Sequence, residues 1–478
     1  MSPTHASRRN FLSHAAYGVA GMAALQLLQR EASAQADAAN VSGLHHPARA
    51  KHVIHIYLGG GLSQVDSFDY KPELERFHDK ELPAEFGTAE PFMGNAGRLH
   101  RSHYAFKQRG ASGLRMSDLF PELCEVADEL TLINSMVAET ANHTPGSFQA
   151  NTGFRQMGFP AMGSWLSYGL GNESDNLPSF VVLPDERGLP YSVGGAFSWS
   201  SGFLPPEHQG VTFNTKGGPP ILDLQPASEM NAQEQQVRLE LLNQFNAMHL
   251  ERQVRPGSLA ARIQSYELAA RMQKAIPEAM DFASEPEHIH KMYGLDRNEC
   301  RGTASNCLAA RRLIERGVRT VQVWTGDGIS WDAHEDITGP GYKSHTGEAL
   351  RIDRPIAGLI RDLRQRNLLE STVVMITTEF GRTPYAQAAA GTLSKGRDHH
   401  PEGFTNVLVG GGFKPGIAFG ATDSIGYSAV ENPVTTYDMH ATILHLLGID
   451  HEQLTFYHSG IQRRLTNVHG HVIRDILS

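Results

Sequence analysis

Short apolar runs and longer amphipathic stretches alternate along most of this chain. "HVIHIYLGGG", residues 52–61, reads as a buried strand running into a glycine turn. "LTLINSM", "SFVVLP", "RTVQVWTG", "TVVMITTEFG" and "TNVLVGGG" repeat the pattern, each a short β-branched run closed by Gly, Pro or polar residues. Helical periodicity marks "EQQVRLELLNQFNAMHLERQ", "SLAARIQSYELAARMQKAI", "CLAARRLIERG" and "ALRIDRPIAGLIRDLRQRN". In the last, Leu350, Ile356, Leu359, Ile360 and Leu363 form a stripe that Pro355 is expected to break. Such alternation predicts an α/β fold with a mostly parallel sheet covered by helices on both faces.

In open sheets of that kind ligands sit outside the carboxyl ends of the strands. Those ends are unusually loaded here. The first strand leads to Asp66 and Asp69, "LINSM" to His143, and "VQVWTG" to Asp327, Asp332 and His334. "MITT" leads to Glu379 and Arg382, and the loop before "TNVLVGGG" holds Asp398, His399 and His400. These groups are expected to converge on one rim.

The 478 residues, 40% hydrophobic and 19% charged, are enough for a large core and ordinary for a globular protein. The amino terminus stands apart. "SRRNFL", a weakly apolar run over residues 12–28 and "EASAQA" follow the order of an export signal, and the run is too short to span a bilayer comfortably. Arg8 and Arg9 before Asn-Phe-Leu resemble the twin-arginine motif. The expected organisation is a twin-arginine signal over 1–36, read by the export machinery, a linker over 37–50, and one domain over 51–478 with an insertion at about 190–290. No second long apolar run follows, which predicts no stable membrane span in the mature form, which would be periplasmic or secreted. Removing residues 1–34 leaves 39 basic and 50 acidic groups, so the formal charge moves from −9 to −11. That balance argues against nucleic acid as a partner. Cys124, Cys300 and Cys307 form no C-x-x-C pair, which leaves thiolate metal sites and disulfides without support.

Three segments carry candidate chemistry. "WDAHED" sets Asp332 and His334 two apart, on one side of an extended loop, a donor pair suited to a divalent ion. "GRDHHPEG" offers Asp398, His399 and His400 in a Gly-bounded loop; neighbours in a strand face opposite ways, so one histidine would ligate and the other support it. "TTEFGRTP" puts Glu379 directly after an apolar run, where a carboxylate must be paired or coordinated. "NHTPGSFQANTG" reads as a helix start with His143 at its mouth, where free N–H groups would attract anions. "GGGLSQVDSFD" lacks the P-loop lysine, and Ser63 sits in no G-x-S-x-G elbow. His440 and His445 lie at helical spacing among apolar residues and read as core or surface histidines.

Taken together, "HIYLGGGLSQVDSFDYKP", "TVVMITTEFGRTP", "GRDHHPEGFTNVLVGGGFKPG" and "VTTYDMHATILHLLGID" resemble the DUF1501 family of exported bacterial proteins. That resemblance implies an alkaline phosphatase-like (sulfatase-like) three-layer sandwich with a site at the sheet's carboxyl edge, where relatives bind one or two divalent metals. "HTPGSFQANTG" also resembles the sulfatase nucleophile segment: His143 stands at the nucleophile's place and Ser147 where sulfatases carry Arg. With no Cys there, formylglycine chemistry is not available. The expected function is an exported metal-dependent hydrolase of phosphate or sulfate esters, acting on a small-molecule or sugar ester. His143 and Arg382 would be catalytic, and Asp66, Asp332, His334, Glu379, Asp398, His399 and His400 would hold two divalent ions, of Zn, Mn, Ca or Mg. The alternative is a ligand-binding or partner protein on the same scaffold without turnover.

Overall fold

The computed structural model describes residues 43–92, 94–221, 232–251 and 257–478. The export-signal reading of residues 1–36 lies outside them. The described part of the expected linker is laid against the body of the protein: Gly43 N donates to Gly169 O, and Arg49 and Ala50 donate to Leu446 O.

Among the described residues the central sheet has nine strands: β1 (His52–Leu58), β2 (Leu130–Val137), β3 (Phe180–Leu183), β4 (Val211–Thr212), β5 (Thr320–Thr325), β6 (Thr372–Thr377), β7 (Phe404–Gly410), β8 (Ile417–Phe419) and β9 (Val434–Thr435). Their order is β8-β2-β7-β6-β1-β5-β3-β4, with β9 also on β2. All six strands expected from the sequence are present. The three others are edge pieces of two or three residues, too short to leave a periodic signal.

The middle of the sheet follows expectation. β1 lies between β5 and β6, parallel to both, with Val53 opposite Thr320 and His52 opposite Thr372. β7 does not. It runs antiparallel to both β6 and β2. The reason is the connection: no helix lies between β6 and β7, so no crossover carries the chain back to the start of the sheet. Its amino end therefore sits beside the carboxyl ends of the other strands. The loop holding Asp398, His399 and His400, which precedes it, is delivered to the same edge as the loops that follow β1, β5 and β6.

Helices cover both faces. Those used below are α1 (His143–Thr152), α2 (Met162–Leu170), α3 (Arg301–Ile314), α4 (His345–Gln365) and α5 (Thr436–Leu446). Alternate strand residues divide between two cores: Ile54, Val374, Ile376 and Val407 pack with Leu308 of α3 and Leu359 of α4. Val53, Val373, Met375 and Leu408 pack with Trp165 of α2 and Ile443 of α5. This is a mixed α/β fold in three layers around a large, mostly parallel sheet.

Pro355 does not break α4, which runs through it for 21 residues. Ile352, Ile356, Leu359 and Leu363 are all buried along its inner face, while Leu350 of the expected stripe is 57% exposed. Burying four such side chains contributes roughly 6–12 kcal/mol, against about 3 kcal/mol for an interior proline. The aromatic-rich stretch after β3 is ordered and packed: Val193, Trp199 and Phe213 are buried. Cys300 and Cys307 are buried and free, as is Cys124. His440 is a core residue whose Nε2 meets Ala150 O at 3.1 Å. Among the described residues no helix is long and apolar enough to cross a membrane.

Candidate metal centre

Asp332 is the hub of the carboxyl edge. Its loop can reach the end of β1 because Gly60 sits beneath it: a Cβ there would lie 2.6 Å from Trp331 N and 2.7 Å from Asp332 N, and the backbone is at φ +116°. A side chain is excluded on both counts. Gly60 after β1 thus admits the close approach of the chain's own backbone.

Three imidazoles meet one oxygen of Asp332. Oδ1 lies 3.2 Å from His143 Nε2, 2.9 Å from His334 Nε2 and 3.0 Å from His399 Nε2. The Nε2 atoms of His334 and His399 are 3.0 Å apart. His143, Asp332 and His399 each offer a ligand atom within 4.8 Å of the others. Phe380 forms the floor, its ring centroid 4.9 Å from both His143 and His399.

Two of these histidines are fixed from behind. His143 Nδ1 donates to Glu379 Oε1 at 2.6 Å, and His399 Nδ1 donates to Ala141 O at 2.7 Å. In its neutral form an imidazole donates once, so with the Nδ1 protons held there both Nε2 atoms turn lone pairs toward Asp332. His143 Nε2 is buried without a hydrogen-bond partner. Lone pairs gathered around a carboxylate oxygen repel one another unless a cation lies among them, and acceptors at Nδ1 are the usual support of metal-ligating histidines. The separations also fit a small ion: ligands about 2.0 Å from zinc stand roughly 3.3 Å apart in a tetrahedron.

Charge follows the same geometry. Burial alone would raise the pKa of Asp332, but the three imidazoles gathered on it, His143 first, with Arg382 behind, hold it below the ordinary carboxylate value. Burial would lower His143, yet Asp332 and Glu379 outweigh it and its pKa is raised. The helix mouth has little to do with this. Asn142 Oδ1 already accepts from Thr144 N, Gly146 N bonds Asn142 O, and Pro145 has no N–H, so α1 turns few free donors outward. Burial, then Arg382, lowers His399 to about 3.

The remaining candidate residues are spread around this cluster. Glu379 touches it through His143 only: Oε1 also accepts from Gly60 N at 2.8 Å, and Oε2 from Tyr57 Oη at 3.1 Å and Thr378 Oγ1 at 3.2 Å. Arg382 is wholly buried behind Asp332 and donates to its Oδ1 at 2.8 Å; its other donors go to the carbonyls of Gly60, Gly61, Trp331 and Arg397. Each of its three nitrogens thus has a partner. Asp398 accepts from His399 N and Phe92 N, both at 2.8 Å, and stands 3.8 Å from His334 Nδ1. His399 and His400 form a two-residue strand against Gly381–Arg382, so their side chains point opposite ways. His399 enters the cluster; His400 stacks on Tyr427 at 4.2 Å and bonds its carbonyl.

Asp66 lies apart from the cluster. It is fully buried in an ion pair with Arg397 and accepts from Ser63 Oγ at 2.5 Å. Burial would raise its pKa, and Arg397 reverses the shift and holds it low. Replacing Arg397 with Met strands that carboxylate, and a loss of about 3–5 kcal/mol is expected in urea unfolding. The double variant Asp66→Asn with Arg397→Met should recover part of the loss; an unchanged single variant would mean the pair holds nothing together.

One contact had no counterpart in the sequence reading. Lys343, from "GPGYKS", brings Nζ to 3.4 Å from Asp332 Oδ2. A lone basic residue in a polar loop gives no spacing signal. Thus the structure brings His143, Asp332, His334 and His399 to one point, sets Glu379, Arg382 and Asp398 behind it, and leaves Asp66 and His400 elsewhere. Among the described residues it forms one such cluster, where the sequence suggested two ions.

A three-layer α/β protein with an imidazole–carboxylate cluster at the strand ends is the class these observations define. Residues 50–477 match the family described as "Protein of unknown function (DUF1501)", and the chain belongs to that family. No curated protein matches it. Among solved structures, it is similar to the PsFucS1 sulfatase from Pseudoalteromonas sp., at 12% identity and TM-score 0.35, over 87% of this chain and 74% of that one. It is similar to the lipoteichoic acid synthase LtaP from Listeria monocytogenes at 11% identity and TM-score 0.33, over 90% and 79%. A third is the alkaline phosphatase from the Antarctic bacterium TAB5, at 10% identity and TM-score 0.32, over 77% and 94%.

Proposed function

We propose that this protein is a metal-dependent hydrolase of phosphate or sulfate esters, exported and active outside the cytoplasm. The observation that carries the reading is the orphaned, buried His143 Nε2, turned with His399 Nε2 and His334 Nε2 toward a single oxygen of Asp332. His143, His334, His399 and Asp332 would hold one divalent ion. Bound there, such an ion supplies Lewis acidity toward an ester oxygen or a water of lowered pKa.

The chain's own groups have separable tasks. Glu379 holds the proton on His143 Nδ1, and Ala141 O holds the one on His399 Nδ1, so that both rings face inward as acceptors. Arg382 fixes Asp332 from the buried side. Phe380 and Phe92, the latter stacked 4.7 Å from the His399 ring, shield the cluster from bulk water. A donor set of three imidazoles and one carboxylate suits Zn more than Mg or Ca.

The test is elemental analysis of the purified protein, followed by a screen of phosphate and sulfate monoesters with metal-loaded and chelated samples. About one bound transition metal and ester turnover lost on chelation are expected. His143→Ala should lose both. Protein that takes up no metal, or turns over esters equally well when chelated, would sink the proposal.

A further inference from the structure

Lys343 combines two features that a surface lysine rarely shares. Its backbone is left-handed, at φ +59°, a conformation that glycine or asparagine adopts far more readily. Its ammonium nevertheless stands 3.4 Å from Asp332 Oδ2, with 38% of the side chain exposed. The other cation on Asp332 is Arg382, fully buried and with each of its nitrogens engaged. Among the described residues, Lys343 is the one cation on this carboxylate that also reaches solvent.

The neighbours explain how the strain is held. Ser344, the next residue, caps α4 by accepting from Gly347 N at 3.1 Å, and its hydroxyl donates to Gly341 O at 2.7 Å. Tyr342, the residue before, donates to Asp327 Oδ1 at 2.8 Å, and the Arg187 guanidinium lies 5.5 Å from its ring centroid. Both sides of Lys343 are anchored, so the residue between them is over-determined. Nothing in the cap or the turn needs a lysine there. Glycine would satisfy the backbone better, and a strained residue kept at a cluster of charged groups points to a role for its side chain.

We propose that Lys343 is the anion contact of this site, its ammonium placed to receive a non-bridging oxygen of a tetrahedral phosphate or sulfate group. The inference rests on the ester-hydrolase reading and deepens it, by naming the residue that meets the charged part of the substrate. A cation 3.4 Å from one Asp332 oxygen, with an ion held at the other, would share a single anion between them. The strain is the structural cost of that placement.

Inorganic phosphate is the probe. It is titrated calorimetrically into the full chain, metal-loaded and metal-free, for the wild type, Lys343→Gly and Lys343→Arg, with metal content and melting temperature measured on each. Lys343→Gly should weaken phosphate binding at least tenfold, keep the metal, and melt at or above the wild type. Lys343→Arg should restore most of the affinity. Phosphate affinity unchanged by Lys343→Gly in both preparations would overturn the proposal. So would a Lys343→Gly variant that melts lower and drops its metal, since Lys343 would then be a prop for Asp332. Failure of the wild type to take up metal would overturn the hydrolase reading instead. A phosphate affinity of metal-free protein that still depends on Lys343 would support the anion contact by itself.

Discussion

Asp332→Asn is expected to empty the metal centre while leaving the protein folded. Asp332 supplies the one carboxylate oxygen on which His143, His334 and His399 converge. Asparagine keeps the shape and an acceptor for Arg382, so the buried guanidinium stays bonded. What disappears is the negative charge that offsets a dication. Losing a residue behind a ligand typically weakens metal affinity 10–100-fold, so losing the shared ligand charge should weaken it by more than ~100-fold. Ester turnover should fall in step. Glu379→Gln makes the graded comparison, because Glu379 reaches the cluster only through the far nitrogen of His143. It should keep metal at high concentration and lose it on dialysis. If Asp332→Asn retained a full equivalent of metal after dialysis, the cluster would not be the binding site.

The second large effect is acid unfolding. His55, His345, His400 and His440 are buried, and burial is the main cause that lowers their pKa values, His55 and His345 to about 3 and His400 and His440 to about 4. In the unfolded chain each titrates near 6.5. Below about pH 6.5 the unfolded chain therefore binds protons that the folded one refuses, and stability falls as pH falls, until the folded values are reached near 3–4. Each histidine removes about 1.4 kcal/mol per pH unit in that window. Asp353 works in the opposite sense: burial raises it to about 7, so it gains stability over the same fall in pH. The net of these five groups alone is roughly three histidines, or about 4 kcal/mol per pH unit. Two units of acidification would remove about 8 kcal/mol, comparable to the whole stability of an ordinary domain. Urea unfolding between pH 6 and 4 should show that slope, and His440→Leu should make it shallower. A flat profile across the window would mean that these imidazoles carry their protons inside the fold.

The strands, their order of appearance and the helical stripes are properties of local sequence, because period and β-branching act within a few residues. The loading of the strand ends was equally plain: Asp332, His334, Glu379, Asp398 and His399 all follow or precede an apolar run. Family membership was also legible, in "EFGRTP" and "GRDHHP". Orientation within the site was not. That His399 turns inward and His400 outward depends on a two-residue strand formed with Gly381–Arg382, a pairing across 15 or more residues. That Asp66 leaves the site depends on Arg397 meeting it inside the fold. The reversal of β7, which delivers the His399 loop to the common edge, depends on the absence of a crossover helix. Local sequence sets which residues lie at strand ends, because backbone preference is short-ranged. Which of them share one ion's worth of space is set by partners distant in the chain, and only folding brings those partners together.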